Sequence, residues 1–193
     1  MDPASTSSTS QMGVVAVLFL LFPVALADLP LPQPILAACK TVGGGSTYFD
    51  VQFCEEAIGS VAGSGGLDYQ GFGGLAVGLL ADNATSTKAK IDRLLRGGGG
   101  GVMLKAVDDV AVGRCLLSCQ SLYGGILDGG PAYTAAVKAR KYAEARTILE
   151  KAAAAAKECE DGFGKNNAAS PLSAENDDAF KLAKLGVALL ADI

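Results

Sequence analysis

The chain has 193 residues, a formal charge of −4, five cysteines and no histidine. That length suits one domain with a single core, and the weakly acidic balance excludes a nucleic-acid binder acting by bulk charge. The missing histidine removes Ser-His-Asp and Cys-His nucleophile pairs, histidine zinc sites and the commonest general base together.

The first 27 residues carry no Lys or Arg, and Asp2 is their only charged side chain. An apolar run from Gly13 to Leu26 stops at Ala25-Leu26-Ala27, just before Asp28. This pattern predicts a signal peptide over residues 1–27 with an A-x-A cleavage site, although its leading segment is Ser/Thr-rich rather than basic. The run is shorter than the roughly 20 residues a membrane-spanning helix needs. The expectation is therefore a secreted mature chain, residues 28–193, with no membrane segment. Secretion permits disulfides and gives meaning to the Asn83-Ala84-Thr85 sequon, which makes Asn83 a candidate glycosylation site.

Proline lacks a backbone donor, so Leu29-Pro30-Leu31-Pro32-Gln33-Pro34 reads as an extended lead-in. Two short apolar patches follow, Ile35 to Lys40 and Val51 to Val61, parted by Gly43-Gly44-Gly45 and closed by Gly63, Gly65 and Gly66. They predict a helical hairpin over about residues 33–62. From Phe72 through Leu75, Ala76, Leu79, Leu80, Ala84, Thr87 and Ile91 to Leu95, apolar residues recur at steps of three and four, the signature of an amphipathic helix. The glycines at 97 to 101 would each cost about 1 kcal/mol inside a helix and are expected to break the chain. A second stripe, Val112, Leu116, Cys119, Tyr123 and Ile126, is expected to end at Gly129-Gly130-Pro131. A third helix starts near Lys141 and carries Ala145, Ile148, Leu149, Ala152, Ala155 and Cys159 on one face. In the last, Ser173, Glu175, Asn176, Asp177 and Asp178 read as capping and acidic groups ahead of Phe180, Leu182, Leu185 and Leu189. Short connections make neighbours antiparallel. The fold class is all-α: an up-and-down four-helix bundle over about residues 67–193, preceded by the hairpin and stapled by two disulfides.

Glu55-Glu56, Asp108-Asp109 and Asp177-Asp178 are sequence neighbours, and adjacent helix side chains diverge by about 100°. They read as solvated faces, not as the convergent carboxylates of a glycosidase. Gly97 to Gly101 lacks the Lys-Ser/Thr that a phosphate cradle requires. No Cys-x-x-Cys pair is present for an all-thiolate zinc site. No catalytic residue, metal or cofactor is expected.

The cysteines stand at 39, 54, 115, 119 and 159, so one must be left unpaired or bridge to another molecule. Cβ atoms four apart on a helix lie about 5–6 Å from one another, whereas a bridge wants about 3.5–4.5 Å, so Cys115 and Cys119 do not pair together. Cys39 and Cys54 flank the hairpin and form the natural first pair. Cys159 then has Cys115 or Cys119 as partner, and the stripe through Leu116, Cys119 and Tyr123 favours Cys119.

The order Cys39-Lys40-Thr41, Tyr48, Phe53-Cys54, Ser118-Cys119, Leu122-Tyr123 and Glu158-Cys159-Glu160-Asp161-Gly162-Phe163 resembles the plant invertase/pectin methylesterase inhibitor family across essentially the whole mature chain. The resemblance implies Cys39 paired with Cys54 and Cys119 with Cys159, leaving Cys115 as the free thiol. It implies an inhibitor and not an enzyme, secreted to the apoplast or cell wall or carried to the vacuole. Its partner would be an acid invertase or a pectin methylesterase, blocked at the substrate cleft in a one-to-one complex. Invertase inhibitors of the family carry Pro-Lys-Phe in the loop entering the third bundle helix, where this chain has Arg140-Lys141-Tyr142. Lysine and an aromatic ring are kept, and the proline is replaced. These three residues are the candidate target contacts, with invertase the leading target. Two other readings stand beside it: a pectin methylesterase inhibitor using a broad helical face, and a secreted bundle without an enzyme target, prompted by the glycine runs and Cys115.

Overall fold

A computed structural model describes residues 33–61, 67–97 and 108–191. The expected signal peptide at residues 1–27, most of the prolyl lead-in, and Gly63, Gly65, Gly66 and Gly98 to Gly101 lie outside the described residues. Among the described residues there are six helices and no strand. They are α1 (Gln33–Gly44), α2 (Val51–Val61), α3 (Tyr69–Leu95), α4 (Asp108–Lys138), α5 (Tyr142–Lys165) and α6 (Ser173–Leu189).

Helices α1 and α2 form the expected hairpin. Asp50 starts α2 by accepting a hydrogen bond from Phe53 N–H at 2.8 Å, which satisfies one of the amides a helix start leaves unpaired. The Gly43 to Gly45 run does not simply separate the two patches, since Gly43 and Gly44 belong to α1. A Cβ at Gly43 would stand 2.8 Å from Val51 Cα, so this position is reserved for glycine by the close approach of the two helices. Beside that approach Cys39 and Cys54 are bonded, with their Cα atoms 5.4 Å apart.

Asp68 caps α3 through Gly71 N–H at 2.8 Å, and Phe72, Ala76, Leu80, Ala84, Thr87 and Ile91 form its buried stripe. The helix ends at Arg96 and Gly97, whose φ of 65° is left-handed, as the sequence break requires.

Helix α4 corrects one expectation. It does not stop at Gly129-Gly130-Pro131 but continues through Pro131 to Lys138. A proline inside a helix costs about 3 kcal/mol, and the two turns beyond it recover this by burying Tyr133, Ala136 and Val137. At Gly129 a Cβ would lie 3.3 Å from Ile148, so the glycine lets α5 come close rather than ending α4. Val110–Lys138 is long and apolar enough to cross a membrane. One stripe of it, including Cys119 and Tyr123, is buried in the bundle, while Val110 and Leu117 are exposed.

The four long helices pack in a ring, α3 on α4, α4 on α5, α5 on α6 and α6 on α3, which is the up-and-down bundle. Cys119 and Cys159 link α4 to α5 with their Cα atoms 4.9 Å apart. In the loop-entropy account a closure of that span stabilises by roughly 4 kcal/mol. Ala152, Ala153 and Ala156 are buried on α5, small side chains that let neighbouring helices approach. The hairpin lies against α3 and α6. There Phe49 and Ile58 join Phe72, Leu185 and Leu189 in one apolar cluster.

Candidate functional site

The Arg140-Lys141-Tyr142 stretch forms the turn between α4 and α5. Arg140 N–H donates to Val137 O at 2.9 Å and Lys141 N–H to Ala136 O at 2.8 Å, the paired bonds of a Schellman closure. Arg140 occupies the left-handed position with φ of 57°. Proline could not stand there, because its ring fixes φ near −65° and removes the donor. The turn is thus closed by backbone hydrogen bonds around a left-handed Arg140.

Lys141 precedes the first turn of α5, with its side chain 64% exposed. Its Nζ lies 3.5 Å from Glu144 Oε2, an exposed pair that contributes little to stability. Tyr142 is half-buried, and its hydroxyl donates to Gln70 Oε1 at 3.0 Å, tying the first turn of α5 to that of α3. Gln70 carries no sequence signal, since it lies 72 residues away. The turn therefore presents two exposed cations on a braced backbone, next to an aromatic ring anchored on one edge.

A polar network occupies the opposite end of the bundle. Tyr123 O–H donates to Asn176 Oδ1 at 2.7 Å, and Asn176 Nδ2 donates to Glu160 Oε2 at 2.6 Å. Ser173 Oγ donates to Glu160 Oε1 at 2.6 Å. Burial acts to raise the Glu160 carboxyl, but hydrogen bonds from Ser173, Asn176 and Ser170 outweigh it and hold the group below its ordinary value. Burial also pushes the Tyr123 phenol well up. Satisfied side chains from α4, α5 and α6 fix the helices in register. Ser173 and Asn176 therefore do not cap α6 as expected, because the last connection folds back and turns both side chains toward Glu160.

The acidic pairs separate as expected where they are described. Asp177 binds Lys181 at 2.6 Å, whereas Asp178 faces the groove between α2, α3 and α6. Among the described residues no cluster of His, Cys, Asp or Glu can hold a metal ion. Cys115 is the free cysteine and is buried, with its thiol donating to Gly162 O at 3.4 Å. Asn83 lies inside α3, half-buried, and its Nδ2 donates to Glu175 O of α6 at 3.3 Å.

Two disulfides, a packed six-helix fold and a hydrogen-bonded turn between α4 and α5 are what the described residues present. The chain belongs to the plant invertase/pectin methylesterase inhibitor family, whose model matches residues 34–189. A protein from Platanus orientalis named "Putative invertase inhibitor" is 28% identical over 156 residues, covering 80% of this chain and 86% of that protein. One of the same name from Platanus acerifolia is 28% identical over 173 residues, covering 89% of each. The chain is accordingly an inhibitor of the invertase and pectin methylesterase class, not an enzyme.

Proposed function

We propose that the mature protein is secreted and inhibits an acid invertase by inserting the α4–α5 turn into its substrate cleft. The observation that carries this reading is the exposed Lys141 on a Schellman-closed backbone, with Tyr142 held by Gln70. Glycosidase clefts are lined by carboxylates, and a cation delivered on a preorganised turn meets them with little ordering cost. Arg140 stands beside it as a second exposed cation without an ion pair among the described residues. The names of the two relatives support the same target.

Inhibition of one acid invertase and one pectin methylesterase by the purified mature chain at mildly acidic pH tests the reading. Stoichiometric inhibition of the invertase alone is expected. Inhibition of the pectin methylesterase alone would assign the chain to the other target class.

A further inference from the structure

On the face formed by α2, α3 and α6 the structure has an open groove of about 610 Å³, within the range of about 300–1,000 Å³ usual for ligand clefts. Its floor is apolar, formed by Phe53 and Ala57 of α2, Leu79 of α3 and Leu182 of α6. Its rim carries Glu56, Asp82 and Asp178, one carboxylate from each helix. None of the three takes part in an ion pair among the described residues, and only Glu56 accepts a side-chain hydrogen bond, from Gln52 at 2.8 Å.

The groove has more acceptors than free donors, the second N–H of Asn83 being the one side-chain donor left uncommitted among the described lining residues. The first N–H of Asn83 Nδ2 is committed to Glu175 O and Ser86 Oγ to Asn83 O, and no basic residue lines the surface. Lys181 is the cation nearest by sequence, one turn along α6. It is held by Asp177 at 2.6 Å and lies 5.6 Å from the centre of the Phe53 ring. An occupant complementary to this surface must bring its own donors and positive charge for the rim, together with apolar side chains for the floor.

We propose that this groove is a second docking surface, which takes a cationic amphipathic segment of a protein partner, with lysines or arginines over the rim and aliphatic side chains on the floor. It is distinct from the α4–α5 turn. At 1.5 Å per residue, Leu79 and Ser86 lie about 14–24 Å along α3 from Gln70, which braces that turn. The proposal holds whichever enzyme the turn addresses.

The test uses a fluorescent helix-forming peptide of leucine and lysine, titrated with the mature protein and read by anisotropy. Binding is expected to weaken at least tenfold in the E56Q/D82N/D178N variant, and at least fivefold when salt rises from about 50 to 500 mM, because exposed charges are screened. A control variant, D128N/E144Q/E158Q, loses the same charge elsewhere and is expected to stay within twofold. S86R places a cation in the groove while all three carboxylates remain, and it too is expected to weaken binding. Equal losses in the two triple variants would reduce the effect to net charge and overturn the proposal. So would equal binding of a leucine–glutamate peptide, or binding indifferent to salt, which would mark an uncharged occupant such as a saccharide.

Discussion

Replacing Arg140 by glycine and by proline should move stability in opposite directions. An L-residue in the left-handed region costs about 1–2 kcal/mol, and Arg140 sits there with φ of 57°. Glycine removes that cost and returns about 0.5–1 kcal/mol of it as added freedom of the unfolded chain. The net gain for Arg140→Gly is about 0.5–1 kcal/mol, or about 1–4 °C in Tm for a chain of this size. Proline cannot reach the same φ, lacks the N–H that donates to Val137 O, and disfavours the helical conformation of Ala139 before it. Rerouting the turn also loses the Lys141–Ala136 bond. At about 1 kcal/mol per bond plus the backbone cost, Arg140→Pro should lose roughly 2–3 kcal/mol, or about 4–12 °C. Urea and thermal denaturation of the disulfide-intact proteins measure both. A proline variant as stable as the parent would refute the Schellman closure.

The network at the other end predicts a coupled loss. Asn176→Leu removes the acceptor of the buried Tyr123 hydroxyl, leaving it only Thr87 beside it, and takes one donor from Glu160, a cost of roughly 2–3 kcal/mol. Adding Tyr123→Phe should recover about 1 kcal/mol of it, and simple additivity in the double-mutant cycle would show that the two groups do not interact. Tyr133 poses the opposite case: its buried hydroxyl has no hydrogen-bond partner among the described residues, and burial pushes its phenol up to about 12. Tyr133→Phe should be neutral or stabilising by up to about 1 kcal/mol, and a clear loss of stability would reveal a bond this account lacks. Glu160, with a folded pKa below the unfolded value near 4.3, contributes stability above that value and loses it as pH falls through the folded one. Burial and the neighbouring Asp177 raise Asp178, so its ionisation opposes this by costing stability as pH rises. Unfolding followed between about pH 2 and 6 should show a shallower acid slope in Glu160→Gln, and an unchanged slope would remove Glu160 from the network.

Helix period and cysteine spacing make the bundle legible in the sequence, because each long helix buries one continuous stripe, whereas the glycine runs mislead at Gly43–Gly44 and Gly129–Gly130, which lie within helices. Pro131 was not legible, since the benefit of burying Tyr133 and Val137 comes from tertiary packing and outweighs a local signal that ordinarily stops a helix. Asn176 looked like a residue of an acidic helix start, and only the fold brings Tyr123 and Glu160 to it. Cys119 and Cys115 were separated by a helical stripe and by family resemblance, and their places agree with the fold. The turn at Arg140 was visible as a motif with its proline missing. What replaces the proline was not visible, because a left-handed arginine has no composition signal and Gln70 is remote in sequence.

In the proposed function the α4–α5 turn delivers Lys141 to the cleft of an acid invertase. The most direct test of that step is the inhibition constant of Lys141→Ala against that enzyme, measured alongside the variant's thermal stability. Inhibition is expected to weaken at least tenfold, about 1.4 kcal/mol or more of binding, with Tm unchanged because the Lys141–Glu144 pair is exposed. A folded Lys141→Ala protein that inhibits invertase as well as the parent would contradict it.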